Sequence, residues 1–194
     1  DGHEGVRSAA VEVIASGWPD DPETLAWLRE RGVEDGHEGV RSAAVEVIAS
    51  GWPDNPETLA WLRDRAVRDE HWIIRRAAVR AVDQGWRDDP ETLAWLRERA
   101  TEDTDEDVRS AAVEVIAEGW RDDPETFAWL RERGVEDGHE GVRRAAVEVI
   151  ASGWPDDPET LAWLRERSTE DRHEDVRSAA VKAITEGSLD QPKA

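Results

Sequence analysis

Apolar residues recur at intervals of three and four along residues 4–17, with polar residues between them. This i, i+3, i+4, i+7 spacing is typical of a helix that buries one face. The apolar face of the predicted helix consists of Val6, Ala9, Ala10, Val13, Ile14 and Gly17, with Val11 and Trp18 at its side. Ahead of it, Asp1 and Glu4 have the spacing of a capping box.

Signals for a helix end and a new helix start follow directly. Gly17 is expected to end the first helix in a left-handed turn, which glycine adopts without steric cost. Asp21 then stands at the N-cap position of a second helix over residues 22–33. In that helix Leu25 and Leu28 are the expected buried pair. The segment therefore predicts two antiparallel helices joined by a short loop.

The two-helix pattern repeats along the chain with a period of 34 residues. Neither helix can bury its apolar face alone, so neighbouring copies must stack. We predict an all-α fold, a right-handed solenoid of tandem antiparallel helix pairs with about eleven helices over residues 1–187 and a C-terminal tail at 188–194. Full copies begin at Asp1, Asp35, Asp69, Asp103 and Asp137, and a partial capping copy begins at Asp171.

The charge of the chain narrows the classes of partner. The net charge is −21, and the acidic residues are spread along the whole sequence. This distribution argues against nucleic acid and anionic membranes, which require clustered Lys and Arg. It is compatible with a basic protein or peptide, and we interpret it first as a solvated, soluble surface. The sequence has no apolar run long enough to span a membrane and no signal-peptide pattern, so we expect a cytoplasmic location.

Two residue types are missing from the sequence. Without Cys, the chain has no disulfide, no thiolate catalysis and no Cys-based zinc site. Because Met is missing even at position 1, we interpret the sequence as a fragment, a trimmed product or a designed protein. The first copy has no capping features, so we expect an array cut from a longer one, or self-association through the N-terminal end.

The second helix of one copy and the first helix of the next together carry a family resemblance. Residues 22–35, followed by Val40-Arg41 and Ala43-Ala44-Val45, resemble the HEAT repeat. In that family a turn Asp and the Arg of the Val-Arg pair tie successive units together, although such an Arg also suits an anionic ligand. The resemblance implies structural staples of Asp35 with Arg41, Asp69 with Arg75, Asp103 with Arg109, and Asp137 with Arg143.

A second resemblance bears on function. Residues 85–93, Gly-Trp-Arg-Asp-Asp-Pro-Glu-Thr-Leu, are similar to the C-terminal repeat arrays of bacterial NACHT-type (STAND) NTPases. That resemblance implies a sensor or scaffold segment of a larger protein, because this chain has no GxxxxGK[ST] phosphate loop. We predict a non-enzymatic protein-interaction scaffold without a cofactor. The alternatives are a designed or consensus repeat without a natural partner, and an enzyme of the HEAT-like phycobilin lyase type.

Tryptophans form two columns along the repeat. The first column follows the helix-ending glycine and is predicted to lie in the core: Trp18, Trp52, Trp86, Trp120 and Trp154. The second column lies about 100° from the Leu25 and Leu28 stripe by helical geometry. For this second column, packing against the adjacent copy and a half-exposed binding ladder both stay open. It consists of Trp27, Trp61, Trp95, Trp129 and Trp163.

A histidine stands near the start of the first helix in five copies. Neighbouring copies are too far apart to complete a tight metal shell, so we interpret these histidines as polar residues of the first helical turn. No catalytic or metal-binding arrangement stands out from the repeat itself. The column consists of His3, His37, His71, His139 and His173, with Asp105 in the fourth copy.

The third copy departs from the others on the face opposite the buried stripe, where the early copies carry mostly small residues. The concave face of a solenoid is its usual binding surface. We predict that the departures bind a partner, with Trp72 and Arg80 as anchors; divergence without a function is the alternative. The predicted partner-binding residues are Trp72, Ile73, Arg76, Arg80 and Asp83, together with Arg144 in a later copy.

Overall fold

The computed structural model describes residues 2–189 of the chain. Within these residues the chain forms eleven helices and no strand, which confirms the predicted all-α fold of tandem helix pairs. The helices are α1 (Glu4–Gly17), α2 (Pro22–Glu34), α3 (Glu38–Gly51), α4 (Thr58–Arg68), α5 (Trp72–Trp86), α6 (Thr92–Glu102), α7 (Glu106–Gly119), α8 (Thr126–Glu136), α9 (Glu140–Gly153), α10 (Pro158–Glu170) and α11 (Glu174–Leu189).

The chain divides into two compact units, Asp1–Trp95 and Leu96–Ala194. In the first unit α1 packs beside α3, and α3 packs beside α5. In the second unit α7 packs beside α9, and α9 packs beside α11. We call these helices the first-helix layer of each unit, and we call the helices that alternate with them the second-helix layer.

Each second helix packs mainly on the helix that follows it. Helix α2 contacts α3 more extensively than α1, and α4 contacts α5 more extensively than α3. In the second unit α8 favours α9 and α10 favours α11 in the same way. The packing unit is therefore the second helix of one copy with the first helix of the next, which is offset from the sequence repeat by half a copy.

The core of the first unit is built from the apolar stripes of α1, α2 and α3. Buried side chains from all three helices meet there: Val11, Leu25, Leu28, Val40, Ala44 and Ile48. The predicted apolar face of α1 is therefore wrong in position: its buried residue is Val11, expected at the side of the stripe, whereas Val6, Ala9, Val13 and Gly17 are exposed. Burying each large aliphatic side chain of such a core contributes about 1.5–3 kcal/mol.

The start of α2 agrees with the sequence prediction, whereas the end of α1 has a different backbone conformation from the predicted one. As predicted, Asp21 caps α2, where its Oδ1 accepts a hydrogen bond of 2.9 Å from the N–H of Glu23. Helix α1 does end at Gly17, but the expected left-handed glycine is wrong, because no residue among 2–189 has a positive φ. The N–H of Trp18 instead donates to the carbonyl of Ile14 at 3.1 Å.

The last helix reaches beyond the predicted end of the repeat region. Helix α11 continues to Leu189, two residues into the tail that we predicted at 188–194. The remainder of that predicted tail lies outside the described residues.

Candidate functional site

An arginine and an aspartate 28 residues apart join successive copies. Arg41 donates from Nε and Nη2 to both carboxylate oxygens of Asp69, at 3.1 and 3.0 Å, and both side chains are buried. This is the bidentate geometry in which guanidinium and carboxylate bind most strongly. The same pairing connects Arg7 with Asp35, Arg109 with Asp137, and Arg143 with Asp171.

This pairing corrects the expected partners within one copy. The carboxylate of Asp35 does not bind Arg41, as we predicted, but Arg7 of the preceding copy. Arg41 contacts Asp35 only through the backbone, donating from Nη1 to its carbonyl oxygen at 2.9 Å. Arg41, Arg109 and Arg143 therefore each bind the turn of their own copy and the carboxylate of the next.

The other predicted staple residues occupy equivalent places. Arg75 is buried and donates from Nη1 to the carbonyl of Asp69 at 3.0 Å. Asp103 is buried and accepts from the N–H of Asp105 at 2.9 Å. Arg109 donates to the carbonyl of Asp103 at 2.8 Å, and Arg143 to that of Asp137 at 2.9 Å.

The ion pairs hold two carboxyl groups in the charged form. Hydrogen bonds from Arg7 lower the pKa of Asp35 below its ordinary value, with further help from the N–H of His37. For Asp171, burial acts to raise the pKa, but the hydrogen bonds from Arg143 and from the N–H of His173 outweigh it and leave the pKa lowered. Both aspartates are therefore structural anions.

A second row of ion pairs joins successive second helices on the outside. Arg29 donates to Glu57 at 2.7 Å, and Glu57 is largely exposed. Arg63 reaches Asp89 and Glu91 in the same way, at 3.3 and 3.4 Å. Exposed pairs of this kind contribute about 0–1 kcal/mol each, whereas removing one partner of a buried pair costs about 3–5 kcal/mol.

Most tryptophans of both columns are partly buried, and the columns differ at Trp18 and Trp163. Trp18 is 57% exposed, so its predicted place in the core is wrong, whereas the other members of its column are partly buried and Trp52 packs against the core. In the second column Trp61 rests against Gly32 of the preceding copy, where a Cβ would lie 2.8 Å from its ring carbons. Trp163 rests on Gly134 similarly and is 3% exposed.

The histidine column supplies helix N-caps. Nδ1 of His37 accepts a hydrogen bond of 3.1 Å from the N–H of Gly39 at the start of α3. Asp105, the aspartate of the fourth copy, performs the same task for the N–H of Asp107 at 3.0 Å. His71, His139 and His173 accept from the backbone in the same way, whereas His3 makes no side-chain cap hydrogen bond.

The expected capping box does not form in the second copy. Asp35 accepts from the N–H of His37 at 3.0 Å, and Glu38 is the first residue of α3. In the second to sixth copies the Asp side chain thus accepts from the N–H two residues later, in the turn before the cap. Across residues 2–189, no group of three or more His, Asp and Glu side chains is placed to hold a metal ion.

The departures of the third copy lie mostly on the surface of α5. The guanidinium of Arg76 lies over the ring of Trp72, 4.8 Å from its centroid, and both side chains are half-exposed. The ring of His71 stacks with Trp72 at 6.2 Å between centroids and 27° between planes. Arg80 is exposed two helical turns from Trp72. The structure thus brings an aromatic ring and basic side chains together along one helix.

Three further predicted partner-binding residues have different surroundings. Asp83 is 4% exposed and accepts from Arg87 at 3.1 and 2.9 Å, so its predicted place on the binding surface is wrong. Ile73 is half-buried. Arg144 is exposed in the second unit, with Nε 3.8 Å from Glu148 of its own helix.

The sequence interpretation missed a groove between α3 and α5. Its walls include Glu46 and Pro53 from the second copy and Arg80 and Ala81 from the third, and its volume is about 630 Å³. The available signal was Ala81, which stands where the first two copies have Val. Arg80 is exposed, as the sequence predicts, and it also lines this groove.

Comparison with known families agrees with this architecture. The family model described as HEAT repeats matches residues 1–83, 32–117 and 93–185, which together cover nearly the whole chain. Neither a curated protein nor a solved structure gave a match. Among the described residues, no helix has the length and apolar character needed to cross a membrane.

Proposed function

We propose that this chain, which belongs to the HEAT-repeat family, is a non-enzymatic scaffold that binds a partner protein through α5. HEAT repeats are commonly protein-interaction scaffolds, and this general role fits the fold. The observation that carries the specific proposal is the half-exposed Trp72 with Arg76 over its ring. Trp and Arg are the residue types most enriched among the anchors of protein interfaces.

The position of Trp72 supports a specific role for it. The other five copies have Glu there: Glu4, Glu38, Glu106, Glu140 and Glu174. Glutamate suits the first turn of a helix because its charge complements the helix dipole. A tryptophan gives up that benefit and places apolar surface in contact with water, which is expected where a partner covers the ring.

The net charge of −21 indicates the class of partner. A strongly acidic surface attracts basic proteins over long distances and repels nucleic acid. We therefore propose a partner protein with a net positive charge. Its association rate should fall as salt is added, since the attraction between exposed charges is screened beyond about 8 Å at physiological ionic strength.

Selection from a random-peptide display library on the purified chain tests the binding proposal. Peptides enriched on the wild type should bind Trp72→Glu at least about tenfold more weakly, as expected for loss of an interface anchor. Trp72→Glu restores the residue of the other copies, so its fold should be preserved. Trp18→Ala is the matched control, because it removes an exposed Trp elsewhere. Equal binding to the wild type and Trp72→Glu would refute the assignment of α5.

The similarity of residues 85–93 to bacterial STAND arrays supports a second, finer proposal. We propose that the natural protein also contains a phosphate-loop NTPase module, for which this array is the sensor segment, and that it acts in the cytoplasm. Sequencing the DNA that flanks the coding region tests this directly. A GxxxxGK[ST] motif in the same reading frame is the expected result, and an open reading frame without one would contradict it.

A further inference from the structure

Two grooves occupy equivalent positions in the two units. The groove between α3 and α5 has a volume of about 630 Å³, and the groove between α9 and α11 has a volume of about 430 Å³. Ala, Pro and Gly residues form most of the floor of each groove. Both volumes fall in the range of about 300–1,000 Å³ typical of small-ligand sites, which also accommodates one or two side chains of a peptide.

Both grooves coincide with the same two changes in the repeat. Ala81 and Ala183 stand where the other four copies have valine, at Val13, Val47, Val115 and Val149. Each alanine lines its groove, so the missing methyl groups leave space in the wall. The residue before each alanine is a cation, Arg80 or Lys182, where the other four copies have Glu12, Glu46, Glu114 and Glu148.

The junction between α7 and α9 lacks these changes and is partly occupied by a different side chain. Val149 stands there in place of alanine, and both residues at the column of the cation are glutamates. The side chain of Arg121, which replaces the proline of the other grooves, approaches Gly153 to within 3.7 Å of where a Cβ would lie. Gly85 and Gly187, at the equivalent places in the two grooves, have no atom so near.

The walls of each groove carry opposite charges. In the first unit Glu46 lines one wall and Arg80 the other. In the second unit Glu148 and Lys182 line the walls, with Lys182 3.9 Å from Glu186 and Glu148 3.8 Å from Arg144. An apolar side chain fits the floor, while a carboxylate complements the cationic wall and a basic side chain complements the glutamate wall.

We propose that each groove binds a short segment of a partner protein in which an apolar side chain lies between a carboxylate and a basic side chain. This inference rests on the proposed scaffold function and names the recognition element that the function requires. The basic side chain agrees with the acidic surface of the chain, and the carboxylate provides the specificity that net charge alone lacks. Because the same two column changes recur, the two grooves bind segments of the same type.

The test uses two double variants, one that narrows both grooves with larger side chains and one that replaces their cations with glutamate. Ala81→Val with Ala183→Val installs the residue of the other copies, so the thermal unfolding midpoint should stay close to that of the wild type. Arg80→Glu with Lys182→Glu restores the glutamate column. The controls are Val13→Ala and Glu12→Lys, which change the same two columns on α1. The probes are peptides enriched from a random-peptide display library on the wild type, measured by fluorescence anisotropy.

The enriched peptides should share an apolar residue next to an Asp or Glu and a Lys or Arg. Their affinity should fall at least about tenfold in both double variants and should change by less than about twofold in the controls. Unchanged affinity for the alanine-to-valine variant would overturn the inference. The inference would also be overturned if the wild type sediments as a dimer and the alanine-to-valine variant sediments as a monomer. A second copy of the chain would then be the occupant of the grooves.

Failure of this inference is distinguishable from failure of the proposed function. If the wild type enriches peptides that lose affinity for Trp72→Glu but retain it for both groove variants, the scaffold function stands and the groove assignment is wrong. If the wild type enriches no peptide, both proposals fail.

Discussion

The guanidinium of Arg41 binds both carboxylate oxygens of Asp69, 28 residues later, while its third nitrogen binds the carbonyl of Asp35. One side chain thus joins the turn of its own copy to the turn of the next. Because both charges are buried, the pair is costly to break from one side. This relationship explains why an Arg and an Asp recur at these positions in every copy.

Removal of the arginine from this pair should destabilise the stack strongly. Arg41→Ala leaves the Asp69 carboxylate buried without its partner, so we expect a loss of about 3–5 kcal/mol in the free energy of unfolding. The matched control is Arg29→Ala, which breaks the exposed pair with Glu57 and should cost less than about 1 kcal/mol. Urea unfolding followed by circular dichroism measures both. Equal losses would contradict the distinction between the two rows of ion pairs.

Acid should weaken the stack through its structural aspartates. The pKa of Asp171 is lowered in the folded chain from an ordinary value of 3.8. Its stabilising contribution is therefore complete above that ordinary pKa and is lost as the pH falls through the lower folded pKa. The thermal unfolding midpoint of Asp171→Asn should be lower than that of the wild type at neutral pH. Between about pH 5 and pH 2 it should fall less steeply than the midpoint of the wild type. Parallel curves for variant and wild type would show that Asp171 has no such role.

The tryptophan columns should differ in their contributions to stability. Trp163→Ala removes a ring that is 3% exposed and packed on Gly134. We expect a loss of about 3–5 kcal/mol in the free energy of unfolding, as for other buried aromatic truncations. Trp18→Ala removes a ring that is 57% exposed, and should change stability by less than about 0.5 kcal/mol. A larger loss in Trp18→Ala than in Trp163→Ala would contradict this account and would support the core position that the sequence predicts for Trp18.

Histidine and aspartate should be interchangeable as caps of the first helices. Asp105→His gives the fourth copy the residue that caps α3, and should change the free energy of unfolding by less than about 0.5 kcal/mol at neutral pH. Asp105→Ala leaves the N–H of Asp107 without its acceptor and should cost about 1 kcal/mol. Thermal unfolding of the two variants measures the difference. A loss in Asp105→His equal to that in Asp105→Ala would mean that the histidine does not cap.

The sequence predicts the helices well because each depends on local spacing. The stripe of Leu25 and Leu28 and the cap at Asp21 are properties of a few neighbouring residues. Contacts between copies are different. In a regular repeat, Arg41 has an aspartate both six residues before it and 28 residues after it, and spacing alone does not select between them.

In the candidate site, too, contacts between copies could not be predicted from sequence spacing. A helical projection places Trp61 away from the stripe, but the projection does not include Gly32 of the preceding copy, which receives the ring. It likewise places Asp83 on the open face, whereas Arg87, one turn later, binds that carboxylate in a buried position. The groove beside Ala81 depends on residues of two copies at once, so only the three-dimensional arrangement reveals it.

The central claim, that a partner binds on α5, is tested most directly by mapping where a peptide binds. A peptide enriched on the wild type, carrying a photo-crosslinking benzophenone, is irradiated with the intact chain, and the attached residues are identified by mass spectrometry. The account predicts crosslinks on the exposed side chains of Trp72–Trp86 that are lost in Trp72→Glu, whereas crosslinks in the groove between α9 and α11 are retained. Crosslinks concentrated on the second-helix layer, or a pattern unchanged in Trp72→Glu, would contradict it.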